Sequence, residues 1–289
     1  MLTLAKWVMG GPFQALAAAA ILALLPGFGW ASAAIVALVA LRKNANDVAI
    51  PFAGAMLVAV LVHWTAGDIT QVGTVCAALV ASLVLASTRS LAWSLLALGI
   101  SSALYIVLVL NLAPAMISNL VDLFQPTFDD FVEQLKAANP EAQSVFEQVD
   151  VRHIVLEGMV WVTTAGAVAA LLVARWLQAR LYNPGGFRRE FHSLRLMPAV
   201  AGVLALLLYL GQSYPPARLI LPCVAIPMVM AGLALVHGVL GMKQNNGPLL
   251  VFFYVGLILT TWVGMMVLVA AAVMDSFVDF RNRIQKRYE

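Results

Sequence analysis

Apolar residues run along this chain in long stretches separated by short polar turns. Nine such stretches stand out, over 7–25, 29–41, 48–64, 72–88, 90–113, 154–178, 197–213, 219–241 and 248–274. A helix needs about 20 apolar residues to cross a bilayer, and most of these approach or exceed that length. None alternates with the period of two that a barrel strand requires, which excludes a β-barrel. Backbone in hydrocarbon must satisfy its own N–H and C=O groups, so each run predicts a helix. The expected fold class is all-α, a polytopic transmembrane helical bundle of eight or nine spans. Pro26-Gly27-Phe28-Gly29 is a turn signal that folds the first two runs into a tight hairpin. Ala31-Ser32-Ala33 has the small-x-small form of a signal-peptide cleavage site. It lies inside the second run, with further spans beyond, so the start reads as the first transmembrane helix.

The pattern changes over 114–153. Apolar positions return at helical spacing there, as Leu120, Val121 and Phe124, then Phe128, Phe131, Val132 and Leu135, then Val145, Phe146 and Val149. Pro126 and Pro140 punctuate these groups, and Thr127 with Asp130 has the form of a capping box. Two or three short amphipathic helices are expected, on the membrane face or capping the bundle. Seven of the chain's fourteen acids fall here, Asp122, Asp129, Asp130, Glu133, Glu141, Glu147 and Asp150, against Lys136 and Arg152 alone. Such acidity disfavours docking to an anionic cytoplasmic leaflet. The chain thus divides into N-terminal transmembrane helices (1–113), an acidic amphipathic insertion (114–153), C-terminal transmembrane helices (154–275) and a basic tail (276–289).

Composition points the same way. Of 289 residues, 62% are hydrophobic and 11% charged, whereas a soluble domain carries roughly 25% charged residues to solvate its surface. The lipid bilayer is therefore the main partner. A net charge of +3 is too small to suggest nucleic acid. Cys76 and Cys223 lie in apolar runs and predict buried, reduced thiols without disulfide or metal spacing.

Charge sets the orientation, because Lys and Arg are retained on the cytoplasmic side. Arg42 and Lys43, then Arg89, then Arg180, Arg188, Arg189 and Arg195 fall in alternate loops. Placing them inside puts the N-terminus and Lys6 inside, with Asp68 and the acidic segment outside. The end of the chain conflicts with this scheme. Three further spans would leave Arg281, Arg283, Lys286 and Arg287 outside, so one of the last three stretches is re-entrant or an earlier stretch does not span. Pro215, Pro216, Pro222 and Pro227 make 214–227 the expected place for a non-spanning kink.

Ionisable groups inside spans are candidate functional sites, since burying them is costly. His153 and Glu157 stand one turn apart at the start of the sixth run, and Trp161 continues their face. They read either as a polar cluster lining a substrate-binding cavity or as wetted interfacial groups with Trp161 an aromatic anchor. His237, deeper in the eighth run, reads as a second substrate contact or as an interhelical hydrogen-bond partner. His63 and Asp68 are most simply interfacial, and Asn111 and Gln14 would serve as interhelical amides. Phe187-Arg188-Arg189-Glu190-Phe191-His192 reads as positive-inside anchoring or as a dock for a partner or anionic lipid. Ala15, Ala19 and Ala23, and likewise Gly166, Ala170 and Ala174, form small-residue stripes of the kind that lets helices approach closely.

No HExxH, GxSxG, P-loop, CxxC or dinucleotide fingerprint occurs. Rows of carboxylates or arginines for proton pumping or voltage sensing are also missing from the runs. No enzyme activity and no cofactor is expected.

The order of features resembles a known family. The hairpin closes at Pro26–Gly29, the short second run ends at Leu41-Arg42-Lys43, and Gly232-Leu233-Ala234-Leu235-Val236-His237 lies late. The chain then closes on Met274-Asp275-Ser276-Phe277-Val278-Asp279-Phe280-Arg281. This is similar to the YybS-like family of uncharacterised bacterial integral membrane proteins, itself distantly similar to the substrate-binding S components of energy-coupling-factor transporters. The resemblance implies a multi-pass protein of the bacterial cell inner (cytoplasmic) membrane whose bundle holds a small-molecule solute. It also implies a membrane protein partner met through Ala15, Ala19 and Ala23 on the first helix. A non-transporting interaction or scaffold protein is the competing expectation.

Overall fold

The computed structural model describes residues 2–138, 150–242 and 247–285. Pro140, Glu141, Val145, Phe146, Glu147 and Val149 of the expected insertion, and Lys286 and Arg287 of the tail, lie outside them. Among the described residues every regular element is a helix. In chain order these are α1 (Leu2–Val8), α2 (Pro12–Leu24), α3 (Gly29–Ala40), α4 (Ala45–Ala66), α5 (Thr70–Thr88), α6 (Leu91–Leu112) and α7 (Pro114–Ala138). They continue as α8 (Val151–Tyr182), α9 (Gly186–Ser193), α10 (Pro198–Ser213), α11 (Pro215–Arg218), α12 (Leu221–Leu240), α13 (Gly247–Val278) and α14 (Phe280–Gln285).

Six of these, α4, α5, α6, α8, α12 and α13, are long and apolar enough to cross a membrane. The pair α9 and α10 would make a seventh, bent by 66°. The first apolar run does not form one helix, because Gly10 and Gly11 break it into α1 and α2. At 13 and 12 residues, α2 and α3 rise only about 20 and 18 Å, against the roughly 30 Å of hydrocarbon.

Helix α3 is the centre of the bundle, with every residue from Ser32 to Ala40 buried. A helix apolar on all sides suits such a position. Its neighbours α2, α4, α5 and α8 supply small residues where they touch it. A Cβ on Gly166 would meet Thr74 at 3.2 Å and Trp30 at 3.6 Å, and Ala170 and Ala174 are fully buried. Two amides satisfy carbonyls at the ends of these short helices, which would otherwise be orphaned in an apolar interior. Gln71 donates to the Ala23 carbonyl and Gln178 to that of Leu41, both at 3.2 Å.

The expected insertion takes a different form. Pro126, Thr127 and Asp130 all lie inside one continuous 25-residue helix, α7, so Thr127 and Asp130 cap nothing. Ile117, Met116, Leu120 and Val121 of α7 pack on Ile69, Ile106, Leu156 and Val160. This helix joins the bundle through its first half. The next span starts at Val151, where the Asp150 carboxylate accepts the Arg152 N–H at 2.9 Å.

The last apolar run breaks at Thr261, whereas within 214–227 α11 is a short turn between α10 and α12. Inside α13, Thr261 adopts φ 23° and ψ −80°. This is a region a β-branched residue rarely enters, and such backbone costs about 1–3 kcal/mol. The chain reverses there. A Cβ on Gly264 would lie 3.6 Å from the Leu257 Cα, although seven residues of straight helix advance roughly 10 Å. Tyr254 hydrogen bonds His237 at 2.8 Å, while the adjacent Gly238 lies against the Arg281 side chain. Residues 247–260 and 262–278 therefore enter and leave on one side as a helical hairpin, although their composition alone would suit a span.

The molecule has two charged faces. One carries Arg42, Lys43, Arg180, Arg188, Arg189, Arg195, Arg281 and Arg283. The other carries Asp68, Asp122, Asp129, Asp130, Glu133 and Asp150. Val8 and Arg283, near the two ends of the described chain, lie on the basic face. Val8 and Met9 border a small cavity with Val39 and Lys43, and Arg195 pairs with Asp279 at 2.6 Å. A single cysteine at Asn183 and one at Arg283, each in a Cys76→Ala/Cys223→Ala background, are expected to react with an impermeant maleimide from the same side of sealed vesicles. A cysteine at Ser118 should react from the other. Labelling of position 283 from the Ser118 side would refute the fold-back of α13.

Candidate functional site

The polar residues singled out in the sequence separate onto the two faces. His153 and Glu157 occupy the first turns of α8 and form an i,i+4 pair at 3.3 Å, each about half exposed. Trp161 follows one turn on, half-buried. The nearest cleft, about 530 Å³, runs beside them between α7 and the start of α8, lined by Gln125, Asp129, Glu133, Lys136 and Asp150. His237 is in the last turn of α12, where it shares a cleft with Trp176 of α8. His153 and Trp176 are 23 residues apart on one helix, about 35 Å. The four residues therefore do not share a cavity.

The other sequence candidates have local roles. Asp68 accepts the Thr70 N–H at 2.8 Å and its hydroxyl at 2.7 Å, ahead of α5. His63 is half-buried beside Gly67 and Leu120 on the acidic face. Asn111 donates to the Val107 carbonyl of its own helix at 2.7 Å, and Gln14 sits over Gly11. Ala15, Ala19 and Ala23 are buried, at 0%, 0% and 3% exposure, against the chain's own helices. That face is closed to a partner.

The cleft around His237 measures about 780 Å³ and forms where four helices converge on the basic face. The end of α8 contributes Leu172, Val173, Trp176 and Arg180, α9 contributes Phe187, Arg188, Phe191 and His192, and the first half of α13 contributes Leu250 and Tyr254. Gly185, at φ 82°, turns the chain from α8 into α9, a conformation glycine adopts without steric cost. One turn apart, Phe187 and Phe191 stack with centroids at 5.9 Å. On the opposite side of α9, Glu190 grips Arg175. The Glu190 Oε2 accepts from Arg175 Nε at 2.7 Å, and Oε1 accepts from Nη2. Arg175 is buried within α8, so this bidentate pair fixes α9 to the bundle and aims its aromatic side into the cleft.

His237 is the hub. Its Nε2 bonds the Tyr254 hydroxyl at 2.8 Å, Phe191 meets its ring edge-on at 5.6 Å and the His192 ring lies at 6.3 Å. Burial, with Arg188, His237 and Arg281 nearby, holds the His192 imidazole below its ordinary range, which favours the neutral form at pH 7. Positive charge in the cleft therefore comes from arginine. Arg180 stands over the Trp176 ring at 5.8 Å and Arg188 is exposed. Among the described residues neither pairs with an acid. No group of three or more His, Cys, Asp or Glu side chains among the described residues could hold a metal ion.

Compared with known protein families, curated proteins and solved structures, the chain has no match.

A second polar assembly closes the hairpin beneath it. Arg195, between α9 and α10, pairs with Asp279 and donates to the Ser276 carbonyl at 2.9 Å. Arg281 donates to the Leu194 carbonyl at 2.8 Å and lies 3.5 Å from the buried Asp275 carboxylate. The other Asp275 oxygen accepts the Phe280 N–H at 3.0 Å. Each of these four side chains bonds at least one charged or backbone partner, as groups at low dielectric require, while the Nε of Arg195 and that of Arg281 are buried without one.

His237 was visible in the sequence as a lone imidazole in an apolar run, and 187–192 as a basic stretch with aromatic residues. Trp176, Arg180 and Tyr254 were missed. Tyr254 is a hydroxyl within Phe252-Phe253-Tyr254-Val255, and only the packing of the outgoing half of α13 beside α12 brings it to His237. Because Glu190 is the counter-ion of a buried guanidinium, Glu190→Ala should lower stability by about 2 kcal/mol, whereas Arg189→Ala should have little effect. Arg175→Met combined with Glu190→Leu should recover most of the loss. Thermal unfolding in detergent measures this, and equal effects of the two single substitutions would contradict the anchoring of α9.

Proposed function

We propose that this is a multi-pass protein of a bacterial cytoplasmic membrane, with the basic face and both chain ends inside, that binds a small solute in the cleft around His237. The reading is transporter-like and non-enzymatic, as in a solute-binding membrane subunit. The observation that carries it is the His237–Tyr254 pair at the meeting of α8, α9, α12 and the hairpin α13. A mostly apolar concavity with a few convergent polar groups is the usual form of a ligand site. Broken helices at membrane depth commonly line such sites in transporters. Retention of Lys and Arg on the cytoplasmic side supports the orientation, and the resemblance to the YybS-like family supports the solute-binding class. His153, Glu157 and Trp161 are assigned to the outer interface rather than to the solute.

Mass spectrometry of the protein purified in mild detergent tests this. A co-purifying small molecule is expected, with occupancy reduced at least about tenfold in His237→Ala/Tyr254→Phe, as loss of roughly 1.4 kcal/mol would give. Unchanged occupancy in that variant would remove the cleft from the mechanism. The exposure of α13, where Leu259 is 81%, Phe252 75% and Ile258 72% exposed, favours a second reading as an interaction protein. A stoichiometric protein partner without any bound small molecule would favour that reading.

A further inference from the structure

The assignment of the cleft as a binding site leaves its ligand class open, and three features of the cleft narrow it. The first is charge. Arg180 and Arg188 stand at the rim without an acidic partner among the described residues, while the nearby carboxylate of Glu190 is taken by Arg175. Two unneutralised guanidinium groups beside a neutral imidazole and a phenol favour an anion, and their planar donor forks match phosphate oxygens.

The second feature is the interior. Behind the arginines the walls are Leu172, Val173, Leu250 and the aromatic rings of Trp176, Phe187 and Phe191. A fully hydrated anion would gain nothing from those surfaces, whereas acyl or isoprenoid carbon would be removed from water against them. The third is access. Leu249, Val251 and Phe252 are exposed on the half of α13 that supplies Leu250 and Tyr254, so one wall of the cleft continues as an apolar helix surface. A ligand with both an anionic head and an apolar chain can enter from the bilayer with its chain on α13. Basic pockets between helices on the cytoplasmic side are known to recognise anionic headgroups in this way.

Building on the reading of this cleft as the binding site, we infer that its ligand is a membrane amphiphile with a phosphate head. The phosphate is held by Arg180 and Arg188, and the hydrogen-bonded Tyr254–His237 pair turns its one remaining donor toward it from the floor. The Trp176 ring under Arg180 fixes the guanidinium over the rim, since a cation at 5.8 Å from the ring centroid lies within the range of cation–π attraction.

The test is lipid retention in nanodiscs, read by native mass spectrometry, for the wild type, Arg180→Gln/Arg188→Gln, Arg180→Lys/Arg188→Lys and, as a control on the same face, Arg89→Gln. Phosphatidylglycerol should be retained near one per protein and phosphatidylcholine far less. The Gln pair should weaken retention roughly 30-fold, the loss expected for two basic residues near a membrane surface, with the Lys pair intermediate and Arg89→Gln unchanged. Both arginines are exposed, and an unchanged melting temperature of the ligand-free Gln pair confirms that it folds. Equal retention of the two lipids, or phosphatidylglycerol retained equally by wild type and Gln pair, would overturn the inference. Competition by inorganic phosphate or glycerol phosphate at matched affinity would overturn its amphiphile part and leave a soluble phosphate site. If His237→Ala/Tyr254→Phe releases a water-soluble compound while phosphatidylglycerol retention is unaffected, this inference fails and the cleft remains a solute site. If neither ligand is released, both readings fail.

Discussion

Arg195 and Arg281, bound to Asp279, Asp275 and the carbonyls of Leu194 and Ser276, decide the architecture of the C-terminal half. As one straight helix the last apolar stretch of 32 residues would be about 48 Å long. Held by these pairs, it returns to the side it left. The return keeps Arg281 and Arg283 with the other basic loops, while the outgoing half, before the reversal, gives the cleft its fourth wall through Leu250 and Tyr254. Isolated surface ion pairs contribute little. This cluster differs because Asp275 is buried and each arginine also donates to a main-chain carbonyl.

Much of the architecture could be read from residue order. Helical runs, the turn at Pro26–Gly29, the two charged faces and the anomaly of the tail were all legible, because they depend on composition and local spacing. The location of the anomaly was not. Four prolines drew attention to 214–227, yet Pro215, Pro222 and Pro227 are accommodated at or near helix starts or within a buried helix. The reversal occurs instead at Thr261, in Leu259-Thr260-Thr261-Trp262, where no proline or glycine marks it. Gly264, three residues on, is the nearest signal, and its role is to admit Leu257 of the outgoing helix. Pro126 likewise failed to end a helix, because α7 packs through Ile117 and Leu120 on one side of it and continues past it.

The candidate site was legible in part for the same reason. An imidazole in an apolar run is conspicuous whatever it does, so His237 could be chosen alone. His153, Glu157 and Trp161 were conspicuous too, but hydropathy does not reveal that the start of α8 packs on α7 through Leu156 and Val160, which leaves His153 and Glu157 half exposed at the opposite face. Partners such as Tyr254 and Trp176 are ordinary residues of a membrane helix, and only the tertiary arrangement distinguishes them. The alanine stripe of α2 shows the reverse. It is a recognisable packing surface, but nothing local says whether it packs against α3 and α4 or against another chain.

The glycine crossings carry a mechanical implication. A Cβ at Gly99 would stand 2.5 Å from the Cys223 carbonyl oxygen, and one at Gly232 only 2.4 Å from that of Leu268. Main chain thus rests directly on main chain where α12 crosses α6 and the second half of α13. Such joints have no side-chain cushion to shear, so α6, α12 and the returning half of α13 behave as one rigid frame. The outgoing half of α13 is not pinned in this way among the described contacts. It meets that frame chiefly through one hydrogen bond, between Tyr254 and His237, and through the turn at Thr261. Compliance in this part of the molecule is thus concentrated in the single helix that forms the wall of the cleft.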